Sequence, residues 1–220
     1  HKPWIGWLKS RGYPSTLDRE SVFLPVSGNS KSNQEIYTSA PSLYDCDHSD
    51  TAFLTDSLLE WFSTHEGENW FIHHSYLRPH PPWVAPEPYN TMYDPVSMPP
   101  PIRAASIEKE GEQHPMVPML HDLIKRSKYF PGKSEAPVAY ASEAEVRQAR
   151  ATYFGLISEV DYHLGRIFDY LHRSGQYEST LILFTTDHGE LLGDHFLFSK
   201  DGYFDQSYHM TDHFIEGPDT

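Results

Sequence analysis

The stretch Thr185-Thr186-Asp187-His188-Gly189 sets a carboxylate beside an imidazole directly after the apolar run Leu181-Ile182-Leu183-Phe184. Aspartate and histidine together make a hard-to-borderline donor pair, suited to a divalent ion such as Mn, Zn or Ca. Neighbouring residues on a strand point to opposite faces, so both can meet one ion only where the strand is broken. Gly189 can supply that break. The alternative is a helix cap, with Asp187 receiving the first N–H groups of a helix through Glu190, Leu191 and Leu192. Gly193-Asp194-His195 then reads either as a second metal cluster or as a polar turn, and the turn is favoured. Lys200 lies beyond it. A lysine there can meet a developing anion, or simply face solvent.

A second group with chemistry in it is Tyr76-Leu77-Arg78-Pro79-His80-Pro81-Pro82-Trp83. His80 stands between prolines, which stiffen its backbone and allow its imidazole to be aimed. That suits a general acid or an oxyanion donor. The alternative is an aromatic, proline-packed structural loop. His73 and His74 alternate across an expected strand, and both are assigned to structure.

These residues need elements to hold them. The clearest opens at Ser142, where Ser142 and Glu145 form a capping-box pattern. Val146, Tyr153, Ile157, Val160, Leu164, Ile167, Phe168 and Leu171 follow at helical spacing, and Ser174-Gly175 supplies the stop. Gly155 and Gly165 inside this helix imply close packing on a neighbour. A shorter helix is expected over 50–64, capped by Asp50, with Gly67 just beyond. Trp70 to His74 reads as a buried strand, and Leu181 to Phe184 as another. Short helices are further expected over Trp4–Arg11 and Met116–Ser127. Residues 1–48 otherwise read as irregular. Proline density from Pro79 to Pro101 forbids long regular elements there. The order helix, strand, insertion, helix, strand is α/β grammar, and ligands of such sheets bind at the carboxyl ends of strands. Both candidate clusters fall at such ends.

The bulk numbers narrow the partners. The chain has 220 residues, 38% of them hydrophobic, enough for one sizeable core or a large piece of a bigger domain. Lys and Arg total 17 against 31 Asp and Glu, a net charge of -14. That argues against a nucleic-acid or anionic-membrane surface. It leaves an anionic small molecule open, because a bound metal inverts the local field. Cys46 is the single cysteine, so no intrachain disulfide can form. A reducing compartment, the cytoplasm, is expected, with the periplasm as the alternative. No apolar stretch has the length of a membrane span. The start lacks the layout of a signal peptide and an initiator Met, so the true N-terminus is expected to lie upstream.

At this point the residues match a known pattern. Thr185 to Glu190, then Gly193-Asp194-His195, then Lys200, resembles the second metal-binding motif of sulfatases in the alkaline phosphatase superfamily. Arg78-Pro79-His80-Pro81-Pro82, the stretch Ala151 to Asp161 and the run Gly202 to Tyr208 narrow the resemblance to the phosphonate monoester hydrolase and phosphodiesterase branch. The resemblance implies an α/β fold, with an alkaline-phosphatase-like mixed, mostly parallel sheet flanked by helices. It implies a hydrolase of phosphonate monoesters, phosphodiesters or sulfate esters. Asp187 and His188 would ligate a divalent metal. Lys200 would contact the transferred phosphoryl or sulfuryl oxygens, and His80 the leaving-group oxygen or the oxyanion. Arg78 is carried over as a substrate contact. The partner would be a small anionic ester, and a homo-oligomer is open. An arylsulfatase-like enzyme, or a catalytically silent metal-binding relative, are the alternatives.

The pattern also departs from the family. The family's nucleophile is a cysteine with Pro or Ala two residues on and Arg four residues on. Cys46 has His48 and Asp50 at those places, so the chain is expected to hold no nucleophile. Residues 1–220 then form a partial domain, without the N-terminal nucleophile segment and part of the C-terminal region. The tail from Met210 to Glu216 resembles a later family segment.

Overall fold

A computed structural model describes residues 2–26, 39–129, 135–209 and 213–215. The expected tail resemblance at Met210–Asp212 and Glu216 lies outside the described residues. The helices are α1 (Lys2–Ser10), α2 (Asp50–Thr64), α3 (Ile107–Gly111), α4 (Met116–Leu123), α5 (Glu143–Arg173) and α6 (Asp205–Tyr208). Two short strands, β1 (Ile182–Phe184) and β2 (His213–Ile215), pair antiparallel, with Leu183 opposite Phe214. Among the described residues, 2–26, 39–93 and 151–176 form one compact unit, and 94–129, 135–150, 177–209 and 213–215 form a second.

The first unit is organised by aromatic side chains. Trp4, Ile5, Leu8, Leu17, Val22, Phe23 and Tyr44 form one buried cluster. The Trp4 ring meets Tyr44 edge-on at 5.2 Å, and its Nε1–H donates to the His48 carbonyl at 2.9 Å. The N-terminal segment is therefore irregular in backbone, as composition predicts, yet it supplies much of the core. Helix α2 begins at Asp50, but its cap is Ser49, whose Oγ accepts from Ala52 N at 3.0 Å. The expected cap is one residue off, because Asp50 is instead buried as a counter-charge described below.

Helix α5 is the element best foretold. Its capping box closes in both directions: Ser142 N donates to Glu145 Oε2 at 2.6 Å, and Glu145 N donates to Ser142 Oγ at 3.3 Å. Its end is a left-handed Gly175, with Gln176 N donating back to Leu171 O at 2.9 Å. Residues 143–150 of α5 belong to the second unit and 151–173 to the first. Gly155 is required by a crossing chain, since a Cβ there would lie 2.1 Å from the Tyr89 carbonyl oxygen. Gly165 differs from expectation. Nothing lies within 4 Å of a Cβ built on it.

Two expected strands are corrected. Trp70 to His74 has no ladder partner among the described residues. Burial alternates along it: Trp70, Ile72 and His74 are half-buried, whereas Phe71 is 95% exposed. One face of the segment is covered, with Trp70 against Phe62 at 5.1 Å, and the other is open. The Leu181–Phe184 run does form β1, but it is not buried. Leu181 is 72% and Leu183 57% exposed, because only β2 pairs with it among the described residues. That pair is antiparallel, where the sequence predicts mostly parallel strands. Helix α4 also ends earlier than expected. Ile124 turns extended, and its carbonyl accepts from Val138 N at 2.9 Å, so pairing with 136–138 replaces another helical turn.

Glu159, on α5, is a buried acid that neither period nor motif singles out. It is 1% exposed. Burial pushes its carboxyl up to about 7, with Asp50 adding to the rise and Ser49 and Arg78 opposing it. The sign of the linkage is set by that rise. Between the ordinary carboxylate range and about pH 7, the folded state keeps a proton that the unfolded chain gives up. This contribution is therefore fully present at low pH and is lost as pH rises through that window. Glu159→Gln should flatten the window by on the order of 3 kcal/mol, at about 1.4 kcal/mol per pH unit. Denaturant midpoints compared at mildly acidic and neutral pH check this, and an unaltered slope in Glu159→Gln contradicts it.

Candidate active site

The chain leaves β1 at Phe184 and breaks at once. No helix follows Asp187, so the capping alternative does not hold. Thr186 Oγ1 donates to the His188 carbonyl at 2.9 Å, and Gly189 N donates to Ser207 O at 3.0 Å. Gly189 is needed because the backbone of residue 206 crosses it. A Cβ would sit 2.1 Å from the Gln206 carbonyl oxygen. Asp187 Oδ2 lies 3.5 Å from His188 Nε2.

The protonation pattern of His188 follows from its neighbours. Its Nδ1 is 2.8 Å from the Gly189 carbonyl oxygen, which can only accept. Nδ1 therefore carries the hydrogen, and Nε2 carries the lone pair, as a metal-ligating imidazole requires. Lys200 Nζ lies 2.6 Å from that Nε2. A carboxylate, an imidazole lone pair and an ammonium thus converge on one point.

Lys200 is delivered there by a tightly tied loop. The Glu190 carboxylate accepts from Ser199 N and, at 3.5 Å, from Leu192 N. Leu191 N donates to Ser199 O at 3.0 Å. Burial pushes the Glu190 carboxyl up to about 7, against these hydrogen bonds and the pull of Lys200. Leu192, His195, Phe196 and Ser199 all have positive φ, a conformation that costs non-glycine residues energy and needs support. That support is polar. Asp194 Oδ1 accepts from Arg150 Nη2 at 2.5 Å and from Ile102 N at 2.7 Å. Arg150 also donates from Nε to Leu192 O at 2.9 Å. His195 Nδ1 meets the buried Glu110 at 2.7 Å, and its ring stacks on Phe204 at 3.8 Å. Asp194 and His195 are thus committed to the turn. Among the described residues, no group of three or more His, Cys, Asp or Glu side chains is placed to hold a metal. This chain offers Asp187 and His188.

The other cluster lies in the first unit. His80 is exposed, and its Nδ1 donates to the Pro81 carbonyl at 2.6 Å, which leaves Nε2 for exchange with a ligand. Arg78, the candidate substrate contact, is only 4% exposed. Its guanidinium donates to His80 O, Pro82 O and Tyr44 Oη. His74 is half-buried against the Tyr76 ring at 4.6 Å, and His73 is exposed. Cys46 opens a 3-10 turn, and burial followed by Asp47 raises its thiol above the ordinary range. That is the opposite of an activated thiolate.

Sequence reasoning passed over Glu190, Glu110, Arg150 and Glu159. For Glu190 a signal existed, since it adjoins the Asp-His-Gly motif. The other three gain their roles only from partners distant in sequence.

The decisive comparison concerns the whole chain. A family model described as Sulfatase matches residues 5–220. The chain belongs to the sulfatase family. This sulfatase chain is 42% identical over 207 residues to the multifunctional alkaline phosphatase superfamily protein PehA of Trinickia caryophylli, covering 94% of the chain and 40% of that relative. It is 29% identical over 130 residues to an arylsulfatase of Clostridium perfringens, covering 59% of the chain and 24% of that relative. Among solved structures, the phosphonate monoester hydrolase of Agrobacterium radiobacter superposes with a TM-score of 0.90 at 38% identity, covering 98% of this chain and 42% of that one. The sulfatase chain therefore has an alkaline-phosphatase-like α/β fold and spans about 40% of the length of PehA. Among its described residues, no helix is long and apolar enough to cross a membrane.

Proposed function

We propose that the complete protein carrying this chain is a metal-dependent hydrolase of phosphonate monoesters or phosphodiesters, with sulfate esters as the related substrate class. The observation that carries the reading is the convergence of Asp187 Oδ2, His188 Nε2 and Lys200 Nζ. The likeness to a phosphonate monoester hydrolase supports the phosphorus class over the sulfur class. The weaker arylsulfatase likeness keeps sulfate esters in view.

The residues present fit a divalent metal. His188 already holds the tautomer a ligand needs, and the Asp187 carboxylate stands beside it. When bound, such an ion withdraws charge from the ester oxygens and fixes their geometry. The chain's own residues do the rest. The Lys200 ammonium can meet negative charge on the non-bridging oxygens of the transferred group. His80 keeps its Nδ1 hydrogen on Pro81 O, so a protonated His80 donates from Nε2 to the departing oxygen and is left neutral. The nucleophile belongs to residues outside this chain, because Cys46 has neither the motif nor the lowered thiol. The mostly parallel sheet belongs to the same reading. The single cysteine suits a cytoplasmic enzyme, and the ligand set suits a small anionic ester.

The test is a leaving-group series. His80→Ala should cost about 10²- to 10⁴-fold in kcat/KM for esters with poor leaving groups. Activated aryl esters, which leave without a proton, should lose far less. Equal losses across the series would remove His80 from the proton-transfer step.

A further inference from the structure

We infer that Arg78 is a positioning residue for His80: its buried guanidinium locks the backbone on both sides of the peptide that orients the imidazole. The inference rests on the leaving-group reading of His80 given above. Nη1 of Arg78 donates to the His80 carbonyl at 3.2 Å and to the Pro82 carbonyl at 2.8 Å. Between them lies Pro81, whose carbonyl accepts the His80 Nδ1 hydrogen at 2.6 Å. One cation therefore fixes the carbonyls flanking the group that sets the ring. His80 N closes the turn by donating to Leu77 O at 3.0 Å, and Trp83 Nε1 donates to Pro79 O at 3.1 Å.

The guanidinium is itself held from all sides. Nη2 donates to Tyr44 Oη at 2.9 Å, Nε lies 3.5 Å from Asp50 Oδ1, and the Phe23 ring lies 4.7 Å from the guanidinium carbon. Asp50 is 6% exposed, so the counter-charge is buried with the cation. A side chain enclosed in this way has no face left for a substrate. It does have the one shape that suits the task. A planar fork reaches two carbonyls and a phenol at once, whereas a lysine is a single point of charge.

The test uses the complete protein and three variants: His80→Ala, Arg78→Lys and Tyr44→Phe. Arg78→Lys should lose about 10- to 100-fold in kcat/KM on poor leaving groups, the order expected for a misplaced catalytic group, and much less on activated esters. Tyr44→Phe removes one hydrogen bond, keeps the fold, and should shift the same way by a smaller factor. The double variant Arg78→Lys/His80→Ala should be no worse than His80→Ala alone. A uniform rise in KM across the series, or additive losses in the double variant, would make Arg78 a substrate contact and overturn the inference. Nitrogen NMR of the His80 ring gives a readout independent of turnover. Arg78→Lys and Tyr44→Phe should both reduce the Nδ1–H form, and unchanged ring signals in both would also overturn it. If His80→Ala shows no leaving-group selectivity, the parent reading fails, and the NMR comparison alone decides the role of Arg78.

Discussion

Lys200→Ala should lower kcat of the complete protein by about 10²- to 10³-fold while leaving its bound metal in place. The magnitude is that of removing one preorganised donor from a developing oxyanion. The separation of effects follows from the geometry. Lys200 Nζ approaches His188 Nε2 at 2.6 Å, yet the proposed donor set for a cation is Asp187 and His188. Removing the ammonium takes away positive charge, so affinity for a divalent ion should hold or rise. Steady-state kinetics paired with elemental analysis read both quantities. Loss of metal together with activity would show that Lys200 shapes the ligand pair and does not act on the substrate.

Asp194→Ala carries the largest expected effect on stability. Its carboxylate and the Arg150 guanidinium are both buried, at 6% and 7% exposure. Removing one member of such a pair leaves an uncompensated charge and typically costs about 3–5 kcal/mol. Here it would also free Ile102 N, and it would release a turn in which His195 and Phe196 hold positive φ. That turn leads into the segment returning Lys200 to His188. The variant should therefore unfold at markedly lower denaturant and show impaired turnover in its folded fraction. A loss below about 1 kcal/mol would mean that the turn is held by His195 on Glu110 and Phe204 instead.

How much of this was legible depends on the range of the interaction. Ser142 and Glu145 announce α5 because a capping box is closed within three residues. Asp187-His188-Gly189 announces a site because ligand types and the glycine are adjacent in the chain. The covered and uncovered faces of Trp70–His74 and of β1 were not legible, since an apolar run looks alike whether or not a second layer covers it. Gly155 and Gly165 make the same point within one helix. One is crossed by the Tyr89 backbone and the other is open, and nothing local separates them. Arg78 reads as a substrate contact beside His80 in sequence. Its burial against Tyr44, Asp50 and Phe23 appears only once residues far apart in the chain are brought together. Glu159 is hidden for the same reason, as a lone acid on a helix normally faces water.

Asp187 and His188 are proposed as the ligands of a divalent cation. Metal content of the complete protein and of Asp187→Ala, measured by elemental analysis after purification in parallel, tests it most directly. A bound divalent ion is expected in the parent protein and its loss in Asp187→Ala, with the circular dichroism of the two unchanged. Equal metal content in both would contradict it.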